Sequence, residues 1–166
     1  MKTPTLFLSI LMSIQLFACG ETEVISSTSS NIAGNWTLKS VFLSDATDTP
    51  CAADAKNTND LTFTLTQDTK DSKKFTINGK SAVNTYFGSM QVTGINANGW
   101  TITMDAIGST KMAGSPALMD CESRFFTLLQ GAKEMRILDG NLQLGNFKQP
   151  NSSPRDGGTY LTFAKK

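Results

Sequence analysis

The sequence predicts a mainly β fold of the α+β class, an antiparallel sheet with one packed helix, and three observations predict it. Apolar and polar residues alternate through several short stretches, as in half-buried strands. Asn-Gly and Asp-Gly pairs fall between or beside those stretches, where tight reversals need positive φ. A single segment abandons the two-residue rhythm for spacings of three and four. The chain has 166 residues. Setting aside residues 1–18 as a leader leaves about 148, enough for one domain around one core and too few for two.

Met1 to Cys19 has the three parts of an export leader: Lys2, an apolar run from Leu6 to Phe17, and the string Leu16-Phe17-Ala18-Cys19. The string resembles the bacterial lipobox, with Leu16 three before the cysteine and Ala18 just before it; Phe17 is bulkier than usual there. The resemblance implies cleavage before Cys19 and lipid on its thiol. A spanning helix needs about 20 apolar residues, and this run is well short of that. Gly20 follows the cysteine instead of the Asp that retains many lipoproteins at the inner membrane. An outer-membrane location, facing the periplasm or the cell surface, is therefore expected. Residues 19–33 form the lipidated cysteine and a Ser- and Thr-rich tether without apolar periodicity.

Residues 34–166 form the domain. Trp36 and Leu38 open its strand pattern, followed by Leu61, Phe63 and Leu65, then Lys74–Asn78, Thr85–Thr93 and Trp100–Met104. Asn78-Gly79 and Asn98-Gly99 are the expected reversals, which makes an antiparallel meander. Ser115 and Pro116 start the helix, Leu118, Glu122, Phe125, Phe126 and Leu129 give it one apolar face, and Gly131 ends it. Strands resume at Glu134–Leu138, turn at Asp139-Gly140-Asn141, continue through Leu142 and Leu144, and close at Thr159–Ala164. The polar stretch from Asn146 to Gly158 reads as a surface loop.

The succession of these strings resembles the META domain, the module of HslJ-like heat-shock lipoproteins. Gly34-Asn35-Trp36-Thr37-Leu38 is similar to its opening motif and Asn84-Thr85-Tyr86-Phe87-Gly88 to its central one. Ser109-Thr110-Lys111-Met112-Ala113 is similar to the string before its helix. The resemblance runs from Ala33 to Lys166 and implies a small antiparallel barrel-like sheet with one helix against it. It singles out Asn84, Tyr86, Gly88, Thr110, Lys111 and Met112 as family-motif positions. Structural duties are the favoured reading, with a ligand site the alternative: a packed Tyr86 ring with a partnered hydroxyl, a bulge at Gly88, a turn bonded by Asn84, and Met112 in the core above the helix. Two positions where the family often carries cysteine hold Val83 and Gly114. Cys51 and Cys121, the two cysteines left in an exported domain, point instead to a disulfide, although two free thiols remain the alternative. Such a bridge would add roughly 4 kcal/mol on the chain-entropy view.

The chain has no histidine, which removes Ser-His and Cys-His nucleophiles and most zinc designs. Asp105, Asp120, Glu122, Glu134 and Asp139 are the carboxylates available for acid–base pairing, and their spacing singles out no pair. Asp45, Asp48, Asp54 and Asp60 lack the alternation and glycine of a calcium loop. Without Lys2 the basic and acidic residues balance at fourteen each, so nothing gathers phosphates and nucleic acid is not an expected partner. No metal and no cofactor are expected. The expected function is that of a monomeric, non-enzymatic envelope lipoprotein, membrane-bound through its lipid anchor, in envelope maintenance or stress tolerance by binding envelope proteins. The alternative is a carrier of a small apolar ligand in a barrel cavity. An interior filled by Trp36, Phe63, Leu65, Phe75, Trp100 and Phe163 would exclude the carrier, and a void on the order of 300 Å³ would favour it.

Overall fold

The structure is a computed structural model that describes residues 32–48, 61–149, 151–153 and 155–166. The leader, Cys19, the tether as far as residue 31, Cys51, Asp54 and Asp60 lie outside the described residues. The elements are β1 (Gly34–Leu43), β2 (Ala46–Asp48), β3 (Thr62–Gln67), β4 (Lys74–Lys80), β5 (Thr85–Asn96), β6 (Gly99–Met104), β7 (Gly108–Ser109), α1 (Pro116–Gln130), β8 (Glu134–Leu138), β9 (Asn141–Phe147) and β10 (Gly158–Lys165).

Each strand buries alternate side chains, and a sheet with one apolar face must bury that face against something. Here it curls onto itself. The antiparallel order β1-β3-β4-β5-β6-β8-β9-β10 is completed by pairing of β10 with β1, so eight strands close a barrel. The remaining two are short additions: β2 pairs with Val41–Leu43 of β1, and β7 with Tyr86 and Phe87 of β5. Neither was visible in the periodicity, because two or three exposed residues carry no alternation. Irregularities between Leu38 and Ser40 and between Val92 and Gly94 bend β1 and β5 around the closing curve.

The barrel is filled by its own side chains. Trp36, Phe63, Leu65, Phe75, Trp100 and Phe163 all point inward, and the most accessible of them, Trp100, is 9% exposed. Phe63 of β3 and Phe163 of β10, the two strands that flank β1, meet inside the barrel with ring centres 5.3 Å apart. Each such side chain contributes on the order of 1.5–3 kcal/mol by leaving water. Ile32 sits at the end where β1 begins, fully buried, and its carbonyl accepts the Trp36 indole N–H at 2.9 Å. At the other end lie the β4–β5 turn and α1.

α1 starts where the sequence indicated. The Ser115 side chain accepts the Leu118 amide, Pro116 occupies the first turn, and the Gly131 amide donates back to Thr127 O. It buries Cys121, Glu122, Phe125 and Leu129, a spacing of one, three and four that places a carboxylate on the apolar face.

Four sequence expectations are corrected. Asn78-Gly79 is not a reversal: both lie inside β4, and the turn comes at Ser81–Asn84. Gly79 is needed for close approach, since a Cβ there would sit 2.0 Å from Thr62 O and 2.7 Å from the Tyr86 hydroxyl. Gly88 pairs regularly with Ile77 and forms no bulge; the irregularity of β5 comes four to six residues later. Met112 does not fill the core, being 57% exposed. The polar loop also begins later than expected, because Asn146 and Phe147 belong to β9.

Candidate functional site

The family-motif positions converge at the α1 end of the barrel. The β4–β5 turn presents Ser81, Val83 and Asn84 to α1, and Glu122 is the helix residue that meets them. Its carboxylate takes the Asn84 side-chain amide at 2.7 Å, the Asn84 backbone amide at 2.8 Å and the Val83 amide at 3.1 Å, together with a short hydrogen bond from the Ser81 hydroxyl. Glu122 is 6% exposed, Asn84 2% and Ser81 0%. Burial alone pushes the Glu122 carboxyl upward, but the donors from Ser81, Asn84 and Val83 outweigh it and hold the group below its ordinary range. Three of these donors, the Ser81 hydroxyl and the Val83 and Asn84 backbone amides, converge on Oε2, and the Asn84 side chain alone takes Oε1.

Asn84 extends the network to the segment before α1. Its Oδ1 accepts the Thr110 hydroxyl at 2.8 Å and the Met112 amide at 2.7 Å, while Nδ2 also reaches the Met112 carbonyl at 3.3 Å. The Thr110 hydroxyl in turn accepts the Thr85 amide at 3.2 Å. One Asn–Glu pair thus joins three pieces of chain that are far apart in sequence: the β4–β5 turn, residues 110–112 and the helix.

Tyr86 lies under this network. Its ring packs edge-on against Phe125 and Phe126, and its hydroxyl donates to Thr62 O at 2.7 Å across Gly79. Burial pushes the phenol pKa up, so it stays protonated as that donor. Gly88 pairs within the sheet nearby without joining the network. Lys111 is exposed beside it. An open cleft of about 460 Å³ runs from Ser109–Ala113 to Met119 and Phe126.

The other carboxylates do not join Glu122. Glu134 is 6% exposed in a separate network, taking Phe147 N at 2.8 Å, Asn96 Nδ2 at 2.7 Å, Asn98 Nδ2 at 3.2 Å and Gln149 Nε2 at 3.5 Å. Burial again works against its charge, and the Phe147 amide with the three side-chain amides holds its pKa below the usual range. Asp120 pairs with Arg124 at 3.2 Å on the exposed face of α1, and Asp105 accepts the Ser89 hydroxyl. No two of these carboxylates share a hydrogen-bond donor. Among the described residues no group of three His, Cys, Asp or Glu side chains is placed to hold a metal. Sequence reasoning missed Ser81, Gly79 and the amide set around Glu134. Only the proximity of Asn96 to Asn98 hinted at the last, and nothing in the sequence tied that pair to Glu134.

A solved structure of similar fold agrees with this architecture. An NMR structure of a protein from Burkholderia xenovorans matches over 99% of both chains at 18% identity with a TM-score of 0.54. A crystal structure of a duf4847 family protein from Bacteroides vulgatus covers 81% of this chain and 93% of its own at 17% identity, with a TM-score of 0.44. No curated protein matches the sequence. The sequence pattern of the META domain matches residues 30–165, which takes in the whole barrel, the Asn84–Glu122 network and α1, and this chain therefore belongs to the META domain family.

Proposed function

We propose that this protein is a non-enzymatic lipoprotein of the bacterial envelope, held to the membrane by acylated Cys19, whose META domain acts by binding. Its role on this reading is envelope maintenance or stress tolerance. The observation that carries it is the structural engagement of the buried polar groups: Glu122 and Glu134 each face four donors, and the Tyr86 hydroxyl is committed to Thr62 O. A general acid or base needs a lone pair or proton free to meet substrate. Glu134 and Tyr86 have spent theirs on holding chain segments together, and on Glu122 three of the four donors crowd Oε2 while the Asn84 side chain holds Oε1. The packed barrel axis favours an exterior surface over an interior ligand.

Among the described residues no helix is long and apolar enough to cross a membrane. On this reading the anchor is the lipid, since several acyl chains hold firmly where a single chain binds only reversibly. A disulfide between Cys51 and Cys121 belongs to the same proposal: Cys121 is 3% exposed on the buried face of α1 and is not a free side chain.

The test is fractionation of cells making the full chain or Cys19→Ala. The substituted protein is expected in the soluble fraction with its leader uncleaved or its terminus unmodified by mass spectrometry; unchanged membrane retention overturns the anchor. Turnover of any substrate by the pure protein overturns the non-enzymatic half.

A further inference from the structure

After β6 the chain returns along the first half of β5. Gly108 and Ser109 pair with Phe87 and Tyr86, and the Thr110 amide donates to Thr85 O at 3.1 Å. Beyond Thr110 no backbone of β5 is left to pair with, because the chain has already turned at Ser81–Asn84. The Asn84 side chain takes its place, accepting the Met112 amide at 2.7 Å and donating to the Met112 carbonyl at 3.3 Å. A primary amide offers the same donor and acceptor as a peptide group, so the inner edge of residues 108–112 is satisfied as a strand's would be. In such pairing alternate residues send their N–H groups to opposite sides. Lys111 and Ala113 therefore turn theirs outward, and neither has a backbone partner among the described residues. Ser109 to Ala117 are all exposed.

This free edge borders the cleft of about 460 Å³ that reaches Met119 and Phe126. Met112 is 57% and Met119 39% exposed, a pair of flexible, polarizable side chains that adapt to apolar guests. Lys111 lines the cleft without an ion-pair partner among the described residues, and the cleft's one carboxylate, Glu122, is already bonded to four donors of the β4–β5 turn. We propose that the Ser109–Ala113 edge binds an extended segment of a partner protein by strand addition. An apolar side chain of that segment enters the Met112–Met119–Phe126 cleft and an acidic one meets Lys111. This rests on the reading that the domain acts by binding, and it names the surface and the partner's chemistry. Edge pairing between two copies is disfavoured, because it brings the two Lys111 charges together on the joined edge. The edge lies at the α1 end, away from Ile32, where the chain enters the barrel.

The test uses the isotope-labelled full chain and a short acetylated peptide in which Asp alternates with Val and Phe. Amide shifts are expected at Ser109–Met119. Methylating every second peptide nitrogen is expected to weaken binding about tenfold, the loss of one or two hydrogen bonds. Lys111→Glu is expected to reverse the preference toward the corresponding Lys-containing peptide. Absence of binding, shifts elsewhere, or indifference to methylation overturns strand addition. Concentration-dependent dimerisation with the same amides perturbed assigns the edge to a second copy and overturns the partner assignment. Photo-crosslinkers at Lys111 and at exposed Leu138 separate the two readings. Crosslinks from Leu138 alone defeat this edge and leave a binding role standing, and crosslinks from neither position defeat both.

Discussion

Glu122 and Glu134 are two solutions to one problem, and the difference between them shows which part of this fold depends on a single side chain. Both are 6% exposed and both keep their charge because donors outweigh burial. Glu122 draws on two backbone amides and two side chains of one short turn, and one of those side chains, Asn84, also holds residues 110–112. Glu134 draws on one backbone amide and three side-chain amides, with Asn96 and Asn98 at the exposed β5–β6 hairpin. Donors fixed in a buried turn cannot turn to water when the acceptor is removed. Amides on a hairpin can.

The largest expected effect follows directly. Glu122→Ala takes the acceptor from the Val83 amide and from the Asn84 side-chain amide, leaves the Ser81 hydroxyl and the Asn84 backbone amide only their bonds to each other's residue, and should cost roughly 2–4 kcal/mol in denaturant unfolding. Glu134→Ala should cost about 1–3 kcal/mol, because its hairpin amides rehydrate. Equal losses would break the contrast. Amide exchange sharpens it: the Glu122 change should loosen the β4–β5 turn, residues 110–112 and α1 together, while the Glu134 change loosens the β5–β6 hairpin and the end of β9.

Acid should show the same ordering. Each carboxyl has its pKa lowered by folding, so the unfolded chain binds protons more readily, and the stability held at neutral pH falls as pH drops through the ordinary Glu value of about 4.3 and on through the lower folded values. Above that window both contributions are flat. Glu122→Gln should remove more of this acid-dependent loss than Glu134→Gln, and an unchanged pH profile in the Glu122 variant would rule out the buried carboxylate as its source. The smallest expected effect is Tyr86→Phe, which keeps the ring packing against Phe125 and Phe126 and loses one hydrogen bond to Thr62 O, about 1–2 kcal/mol in thermal or denaturant unfolding.

The strands were legible where alternation was long enough to register: Leu61, Phe63 and Leu65 read as one buried face, and the structure buries all three. The helix was legible from Ser115, Pro116 and Gly131, whose capping chemistry acts within one turn. Asn78-Gly79 misled because the same dipeptide that permits a reversal also permits a Cβ-free strand position, and only Thr62 and Tyr86 pressing on Gly79 decide between them. Met112 was misplaced because an apolar residue outside a regular element has no period to assign its face.

Residue order by itself therefore determined the mainly β class, the helix Pro116–Gln130 and its ends, and the absence of imidazole chemistry, since propensity, capping and composition act locally or not at all through space. Closure of the barrel by β10 on β1, the capture of Glu122 by a turn 38 to 41 residues earlier, and the use of Asn84 as a surrogate strand were decided only in three dimensions. Those contacts join residues with no sequence relation, and their energy exists only once the sheet has curled far enough to bring donors and acceptors out of water together.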